Sequence, residues 1–286
     1  MLVEVAHRLA RFQHLATYRY VGMGSIYFAD FALFHRTFGM ATMVSLEGRS
    51  ELVARCKYNR PYDCIEVRDS DVAAGLPELR DAQPTIMWLD YDGKLDQNRL
   101  DEISVACDVL AAGSLLLVSV NVNPDPEGDR IDKFRRRFGD RDRSRITAAK
   151  DLNRRRLPQL SYEYVAAQVE ETLRVRAAID GIAHRQLVHF TYEDGAQMLT
   201  VGWLLFSATQ TDDVAQCGFE DLGFYRPGQD AFPIVVPKLT YRERAELDRL
   251  LPEGRLDLAP TELKQSDVDR YAEVYRQVPA FVDAVL

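Results

Sequence analysis

Short apolar runs alternate with segments of helical spacing along the first 122 residues. The runs predict five strands, at residues 17–21, 41–46, 64–67, 85–89 and 114–122. Between them, apolar residues recur every three or four positions, and Gly39 and Gly113 stand where two of the helices should end. Leu115–Val118 is apolar at every position, as expected for a strand buried on both faces. This alternation predicts an α/β fold with a doubly wound, mostly parallel sheet.

The pattern changes after residue 160. A helix is predicted over residues 162–179, followed by two strands at 186–193 and 196–207 that Asp194-Gly195 joins. An Asp-Gly pair between β-rich runs favours a hairpin, so we expect seven strands with an antiparallel pair at the end. Three parts are predicted: a sheet domain at 1–207, a connecting segment at 208–239 and a helical extension at 240–286, which begins with the capping-box pair Thr240 and Glu243.

Composition restricts the class of protein. The 286 residues are 47% apolar and 28% charged, which suits a globular chain with a full core. No apolar stretch approaches 18 residues, and the first apolar segment carries His7, Arg8 and Arg11, so we expect no membrane span and no secretory signal. The four cysteines are isolated from one another and from metal-binding spacings, which predicts reduced thiols in a cytoplasmic protein and no zinc site.

The net charge of −8 hides a strongly basic segment. Residues 129–156 contain twelve Lys or Arg and five Asp, and they follow the fifth strand. Arg135, Arg136 and Arg137 are the candidates for binding an anionic ligand or partner. The interspersed aspartates allow the alternative of a solvated pair of helices with internal ion pairs.

A glycine-containing segment, Gly22-Met23-Gly24-Ser25, lies between the first strand and the first long helix. Glycines there permit close approach of a ligand to the backbone. The dinucleotide fingerprint needs a third small residue where this chain has Tyr27, which disfavours nicotinamide and flavin cofactors. Glu47 ends the second strand, where a carboxylate can accept hydrogen bonds from both ribose hydroxyls. The alternatives are a purely structural turn and an acid that stabilises the next helix.

Two carboxylates, Asp90 and Asp92, follow the fourth strand with one residue between them, so both point the same way if the strand geometry persists. Ligands of open α/β sheets bind at this edge, where such a pair can hold a cation or act as general acid or base. Asn121 lies on a polar stripe of the fifth strand and is a candidate to face Asp90; alternatively, it caps a neighbouring loop. Asp30, on the apolar helix after the glycines, either contacts a cofactor or faces water.

These elements resemble class I S-adenosylmethionine-dependent methyltransferases. The resemblance rests on Tyr20-Val21-Gly22-Met23-Gly24-Ser25, Glu47, Asp69-Ser70-Asp71 and Ile86-Met87-Trp88-Leu89-Asp90, in that order over residues 1–207. It implies that Gly22, Gly24 and Ser25 hold the methionine part of S-adenosylmethionine, that Glu47 binds the ribose, and that Asp69 or Asp71 lies beside the adenine. The family usually has an acid at the end of the first strand, where this chain has Tyr18, Arg19 and Tyr20.

Leu89-Asp90-Tyr91-Asp92 is similar to the Asp-x-Asp segment of metal-dependent O-methyltransferases of the caffeoyl-coenzyme A kind. Those enzymes complete the metal site with Asp-Asn, and the matching pair here is Ser119-Val120, so a divalent metal is not assigned. The resemblance implies a methyltransferase that acts on oxygen of a small-molecule or macromolecular acceptor, with Asp90, Asp92 and Asn121 as catalytic candidates. The alternative is an inactive binding subunit of the same fold. The C-terminal helices are candidates for docking a protein partner.

Overall fold

The computed structural model describes residues 1–23, 25–139, 146–252 and 263–278. Contacts divide the chain into two units, one of Leu2–Phe232 and one of Pro233–Leu286 with Met1. The finer division at residues 207 and 239 stays a prediction. Across the described residues, no helix is both long enough and apolar enough to span a membrane.

One mixed sheet forms the centre of the larger unit. Its strand order is β3-β2-β1-β4-β5-β7-β6-β8, with β1 to β5 parallel and β7 antiparallel to both of its neighbours. The strands are β1 (Arg19–Met23), β2 (Thr42–Glu47), β3 (Ile65–Asp69), β4 (Thr85–Lys94), β5 (Leu115–Asn121), β6 (Ile182–Asp194), β7 (Ala196–Ser207) and β8 (Phe232–Pro233). The doubly wound sheet with its closing hairpin is therefore confirmed, and the two-residue β8 is an unpredicted eighth strand.

Helices cover both faces of this sheet. The described α-helices are α1 (Leu2–Arg8), α2 (Ala29–Phe38), α3 (Ser50–Asn59), α4 (Val72–Gly75), α5 (Gln97–Val109), α6 (Arg130–Phe138), α7 (Arg156–Asp180) and α8 (Thr211–Gln216). On one face, Val118 and Val120 of β5 share a core with Ile103 of α5 and Val165 of α7. On the other, Tyr20 of β1 packs on the aromatic side of α2. The alternating side chains of each strand thus supply both layers.

The fourth strand is longer than the sequence indicated. The sequence predicted a strand over residues 85–89, but β4 continues to Lys94, which pairs with Asn121 across an irregularity in the register. Tyr91 is buried and donates from its hydroxyl to Oε2 of Glu102 at 2.7 Å, which favours extending the strand. Asp90 and Asp92 are consequently part of a strand.

The smaller unit contains α9 (Tyr241–Leu250) and α10 (Gln265–Val274). The predicted capping box is present, since Thr240 accepts from the backbone of Glu243 and the Glu243 side chain accepts from the backbone of Thr240. Leu247, Val268 and Tyr271 form a small core between the two helices.

Candidate functional site

A cleft of about 790 Å³ opens at the carboxyl ends of β1 and β4. The first turns of α2 and α3 form its sides. Its charged lining residues are Asp30, Arg49, Arg55, Asp90 and Asp92. Its remaining lining residues are Met23, Ser25, Ile26, Tyr27, Ala29, Leu33, Leu52 and Trp88. The cleft, referred to below as the strand-end cleft, therefore combines acidic, basic and apolar surface.

Gly22 belongs to β1 and lies directly beneath the start of α2. A Cβ atom at position 22 would lie 2.9 Å from Cε2 of Phe31 and 3.1 Å from Oδ2 of Asp30. The first distance is shorter than real Cβ contacts and the second is tighter than most of them, so glycine lets α2 pack this closely on β1 without a shift of Phe31 or Asp30. Gly24 lies outside the described residues. Ser25 lines the cleft, and its hydroxyl accepts a hydrogen bond from the backbone of Tyr27 at 3.2 Å.

The start of α2 differs from the expectation for Tyr27. We expected this large residue to obstruct packing of the helix on the strand, but its side chain is 82% exposed at the rim of the cleft. The helix begins later, at Ala29, after the buried Phe28 with φ of 51°. A non-glycine residue in this left-handed conformation costs about 1–3 kcal/mol. The strained Phe28 turns the chain so that Tyr27 points outward and Asp30 faces the cleft.

Asp30 receives a hydrogen bond from a buried tyrosine. The Tyr20 hydroxyl donates to Oδ2 of Asp30 at 2.5 Å. The Tyr20 ring has no exposed surface and packs edge-on against Phe31 and stacked on Phe34. Burial raises the pKa of Asp30, although the Tyr20 hydrogen bond and backbone N–H groups of the helix start act in the opposite direction. Burial and the neighbouring Asp30 charge also raise the pKa of Tyr20, which keeps its hydroxyl a donor.

Asp90 and Asp92 both line the strand-end cleft, as the sequence predicted from their spacing. They alternate with the buried Leu89 and Tyr91. Asp90 is exposed by surface area, but it lies on the concave floor of the cleft, and desolvation raises its pKa. The nearby charges of Asp30 and Asp92 also raise the pKa of Asp90, whereas a hydrogen bond from Ser119 lowers it.

Ser119 holds the floor beneath Asp90 in place. Its hydroxyl accepts from Nε1 of Trp88 at 2.9 Å and lies 2.7 Å from the hydroxyl of Thr200.

The acids of β2 and β3 contact protein donors instead of the cleft. Glu47 is 4% exposed, and its carboxylate accepts from the Arg49 backbone at 2.9 Å and lies 3.7 Å from Sγ of Cys56. Asp69 accepts from the Ser50 hydroxyl at 2.8 Å, and Asp71 caps α4 by accepting from the Ala74 backbone at 2.8 Å. Their proposed roles toward ribose and adenine stay predictions.

The structure does not bring Asn121 to Asp90. Its side chain accepts from the Asn123 backbone at 2.9 Å and lines a separate small pocket with Lys94, Phe134 and Arg137. This matches the alternative of a loop-capping amide. Among the described residues, no group of three or more His, Cys, Asp or Glu is placed to hold a metal ion.

The basic segment forms α6 and the start of α7, and residues 140–145 lie outside the described part of the chain. Arg137 pairs with Asp125 at 2.8 Å. Burial acts to raise the pKa of Asp125, but Arg137 and Lys94 lower it overall. Arg135 and Arg136 are exposed, and Arg136 borders a pocket of about 600 Å³ with Gln97 and Asn98. Arg137 is thus part of the framework, whereas Arg135 and Arg136 face outward.

Sequence reasoning missed several cleft residues. Trp88 lay in a strand that we expected to be wholly buried, and Arg49 and Arg55 carried no signal because exposed arginines are common in helices. For Asp30 there was a signal, an acid in the first turn of an apolar helix, and the structure places it in the cleft.

The strand order and the cleft at the strand ends define a class I methyltransferase fold. The whole chain, residues 1–286, matches the model of a family described as "Putative O-methyltransferase", and the protein belongs to this family. No curated protein matches it significantly.

Solved structures of methyltransferases are similar to this chain at low identity. The O-methyltransferase TomG from Streptomyces achromogenes, in complex with SAM, is 12% identical with a TM-score of 0.41, over 72% of this chain and 80% of that one. An O-methyltransferase from Bacillus cereus, in complex with SAH, is 16% identical with a TM-score of 0.35, over 70% of this chain and 80% of that one.

Proposed function

We propose that this protein transfers the methyl group of S-adenosylmethionine to an oxygen atom of its acceptor. The observation that carries the proposal is the strand-end cleft, which Trp88 and three carboxylates line together, and beside which Gly22 permits the close packing of α2 on β1. Family membership supports the transfer to oxygen. Several solved neighbours, TomG among them, are complexes with SAM or SAH.

The residues present fit this cofactor. S-adenosylmethionine supplies an electrophilic methyl group on a positively charged sulfur. Asp30, Asp90 and Asp92 provide anionic charge toward positive groups, and Ile26, Leu33 and Leu52 provide apolar surface within the same cleft. No ion pair links any of the three aspartates to a described basic residue, so their charge is available to a ligand.

Asp90 is the candidate base for the reaction. An acceptor hydroxyl that enters the cleft would pass its proton to Asp90 as the oxygen attacks, and a carboxylate with a raised pKa accepts that proton more readily. Ser119 orients Asp90 from below, and Asp92 adds negative charge on the same side. These residues exclude water only partly, since the cleft is open at the Tyr27 rim.

Glu47, Asp69 and Asp71 belong to the nucleoside end in this proposal. A carboxylate has about four lone-pair positions, so Glu47 retains acceptor capacity beyond its contacts with Arg49 and Cys56. Its burial at the end of β2 suits recognition of one ribose hydroxyl pair with little tolerance for displacement.

Titration calorimetry with S-adenosylmethionine and S-adenosylhomocysteine tests the proposed function. Wild type should bind both, and Glu47→Ala should weaken both by tenfold or more, because a ribose contact is common to the two ligands. Glu66→Ala, at an exposed position of β3, is the matched control and should bind like wild type. Absence of binding by wild type would contradict the proposal and favour a non-catalytic subunit.

We further propose that Arg135 and Arg136 contact an anionic acceptor or partner. Their exposure on α6 and the adjoining pocket support this. Inorganic tripolyphosphate is a suitable probe, and its binding should weaken with salt and disappear when both arginines are replaced by alanine; unchanged binding by the double variant would exclude this surface.

The four free cysteines support a reducing, cytoplasmic location. Docking of a protein partner by α9 and α10 also stays a proposal.

A further inference from the structure

Contacts from β1 and α2 fix the position of the Asp30 carboxylate in the strand-end cleft. Its Oδ2 atom receives the Tyr20 hydroxyl at 2.5 Å and lies 3.1 Å from the place where a side chain at position 22 would begin. Gly22 therefore leaves room for this carboxylate as well as for Phe31. Two elements of the fold, β1 and α2, cooperate to hold one oxygen atom at the floor of the cleft.

The packing of the Tyr20 ring does not require its hydroxyl group. Its ring is held between Phe31 and Phe34, at centroid distances of 4.9 Å and 4.7 Å, and phenylalanine would fill the same space. Among the described residues, the Tyr20 hydroxyl forms a hydrogen bond with Asp30 alone. A buried hydroxyl that serves one carboxylate fixes the orientation of that carboxylate.

The charge around Asp30 selects the ligand group. Asp90 and Asp92 lie in the same cleft. Two arginines also line it, Arg49, which contacts Glu47, and Arg55 of α3, so the three carboxylates leave the lining acidic by one charge. Asp30 is only partly exposed and has no ion pair with a described residue, so its negative charge is incompletely compensated by the protein. A positively charged ligand group would remove this cost, whereas an anionic group would increase it.

We propose that Asp30, oriented by Tyr20, binds the α-ammonium group of the cofactor. Asp30 is then a cofactor-binding residue and Tyr20 a positioning residue. The carboxylate reaches the cleft from α2, and Tyr20 occupies the end of β1 from which it supports that carboxylate. The inference rests on the proposed function, because it assumes that the cofactor occupies the strand-end cleft.

A pair of ligands separates this contact from general binding. S-adenosylhomocysteine carries the ammonium group, and 5′-methylthioadenosine contains the same nucleoside and a thioether without the amino acid. By titration calorimetry, Asp30→Asn should weaken S-adenosylhomocysteine by tenfold or more and change 5′-methylthioadenosine by less than twofold. Tyr20→Phe should show the same selectivity at three- to tenfold. Asp212→Asn, an exposed aspartate in the first turn of α8, is the control and should change neither ligand.

Each outcome decides the inference. Selective weakening of S-adenosylhomocysteine binding in both variants supports the inference. If Asp30→Asn does not fold, the same selective weakening in Tyr20→Phe alone supports it. Equal weakening of the two ligands, or no change in either, overturns the role of Asp30 while wild-type binding still upholds the proposed function. If wild type binds neither ligand, the proposed function itself fails and the inference with it.

Discussion

The acidic side chains at the two ends of this sheet edge differ in their contacts. At β2 and β3, Glu47, Asp69 and Asp71 each accept a hydrogen bond from a nearby protein donor. At β1 and β4, Asp90 and Asp92 face a cleft, and within the described part of the chain Asp30 has only Tyr20 and the helix start as partners. Acids of the first kind contribute to the local structure, and acids of the second kind retain charge that a ligand can use.

The pKa shifts of the cleft acids show what their charge costs the folded protein. Burial raises the pKa of both Asp30 and Asp90, which means that folding makes their ionised forms less favourable. A protein under selection for stability alone would replace such groups. The cleft at β1 and β4 therefore carries a cost that ligand binding can offset.

The largest expected effect is at Gly22, where the close packing of α2 on β1 beside the cleft depends on the absence of a side chain. Gly22→Ala would push against Phe31, whose ring is fixed by Tyr20 and Phe28, and against Asp30. We expect a loss of about 1–3 kcal/mol in the free energy of unfolding, measured by denaturant titration, since overpacking of this kind has that range. Binding of S-adenosylhomocysteine should fall together with it.

Gly128→Ala is the matched control, because no atom lies within 4 Å of a Cβ atom at that position. Its free energy of unfolding should stay within about 0.5 kcal/mol of wild type. Equal stability of the two variants would show that α2 can move away from β1, and the close packing would then not explain the glycine.

The fold was largely predictable from the sequence and the cleft only in part. Continuous apolar runs identify strands of a parallel sheet because both faces are buried, and Asp194-Gly195 identifies the hairpin because few other pairs form that turn. The length of β4 was not predictable, since Asp90, Asp92 and Gly93 have low strand propensity and extension is favoured by distant contacts such as that of Tyr91 with Glu102 and that of Lys94 with Asp125.

The partners of each acid were also beyond the sequence. The positions of Asp90 and Asp92 followed from strand alternation, but the contact of Tyr20 with Asp30 depends on the strained turn at Phe28. Local sequence carries no signal for a phenylalanine in a left-handed conformation. For Asn121 the sequence left two roles open, and the structure shows the loop-capping one: the side chain of this last residue of β5 accepts a hydrogen bond from the Asn123 backbone.

A smaller effect is expected at the β2–β3 end. Asp71→Ala removes the cap of α4 and should cost about 1 kcal/mol in the free energy of unfolding. Asp71→Ser keeps a capping oxygen and should recover most of that loss. If the serine variant is stable but binds S-adenosylhomocysteine as weakly as the alanine variant, Asp71 also contacts the ligand, and the contrast between the two ends is less sharp than the contacts indicate.

The smallest effect, opposite in sign, is expected at Asp90. Because its folded-state pKa lies above the ordinary value for aspartate, the carboxyl favours folding when protonated, and this contribution is lost as pH rises through the folded-state pKa. Asp90→Asn should therefore raise the Tm at pH 7.5. The difference from wild type should shrink as the pH falls and should vanish well below the ordinary aspartate pKa of about 4, where the wild-type carboxyl is protonated in both states.

Differential scanning fluorimetry at pH 7.5 and pH 5 measures this Tm difference without requiring a ligand. Asp212→Asn is the control, and it should bring no rise in Tm at either pH, because this aspartate is exposed in the first turn of α8, where a negative charge is favourable. A lower Tm for Asp90→Asn at pH 7.5 would mean that Ser119 and its neighbours already compensate the ionised carboxylate. Asp90 would then belong with the acids of β2 and β3, and the base in the proposed reaction would have to be sought at Asp92.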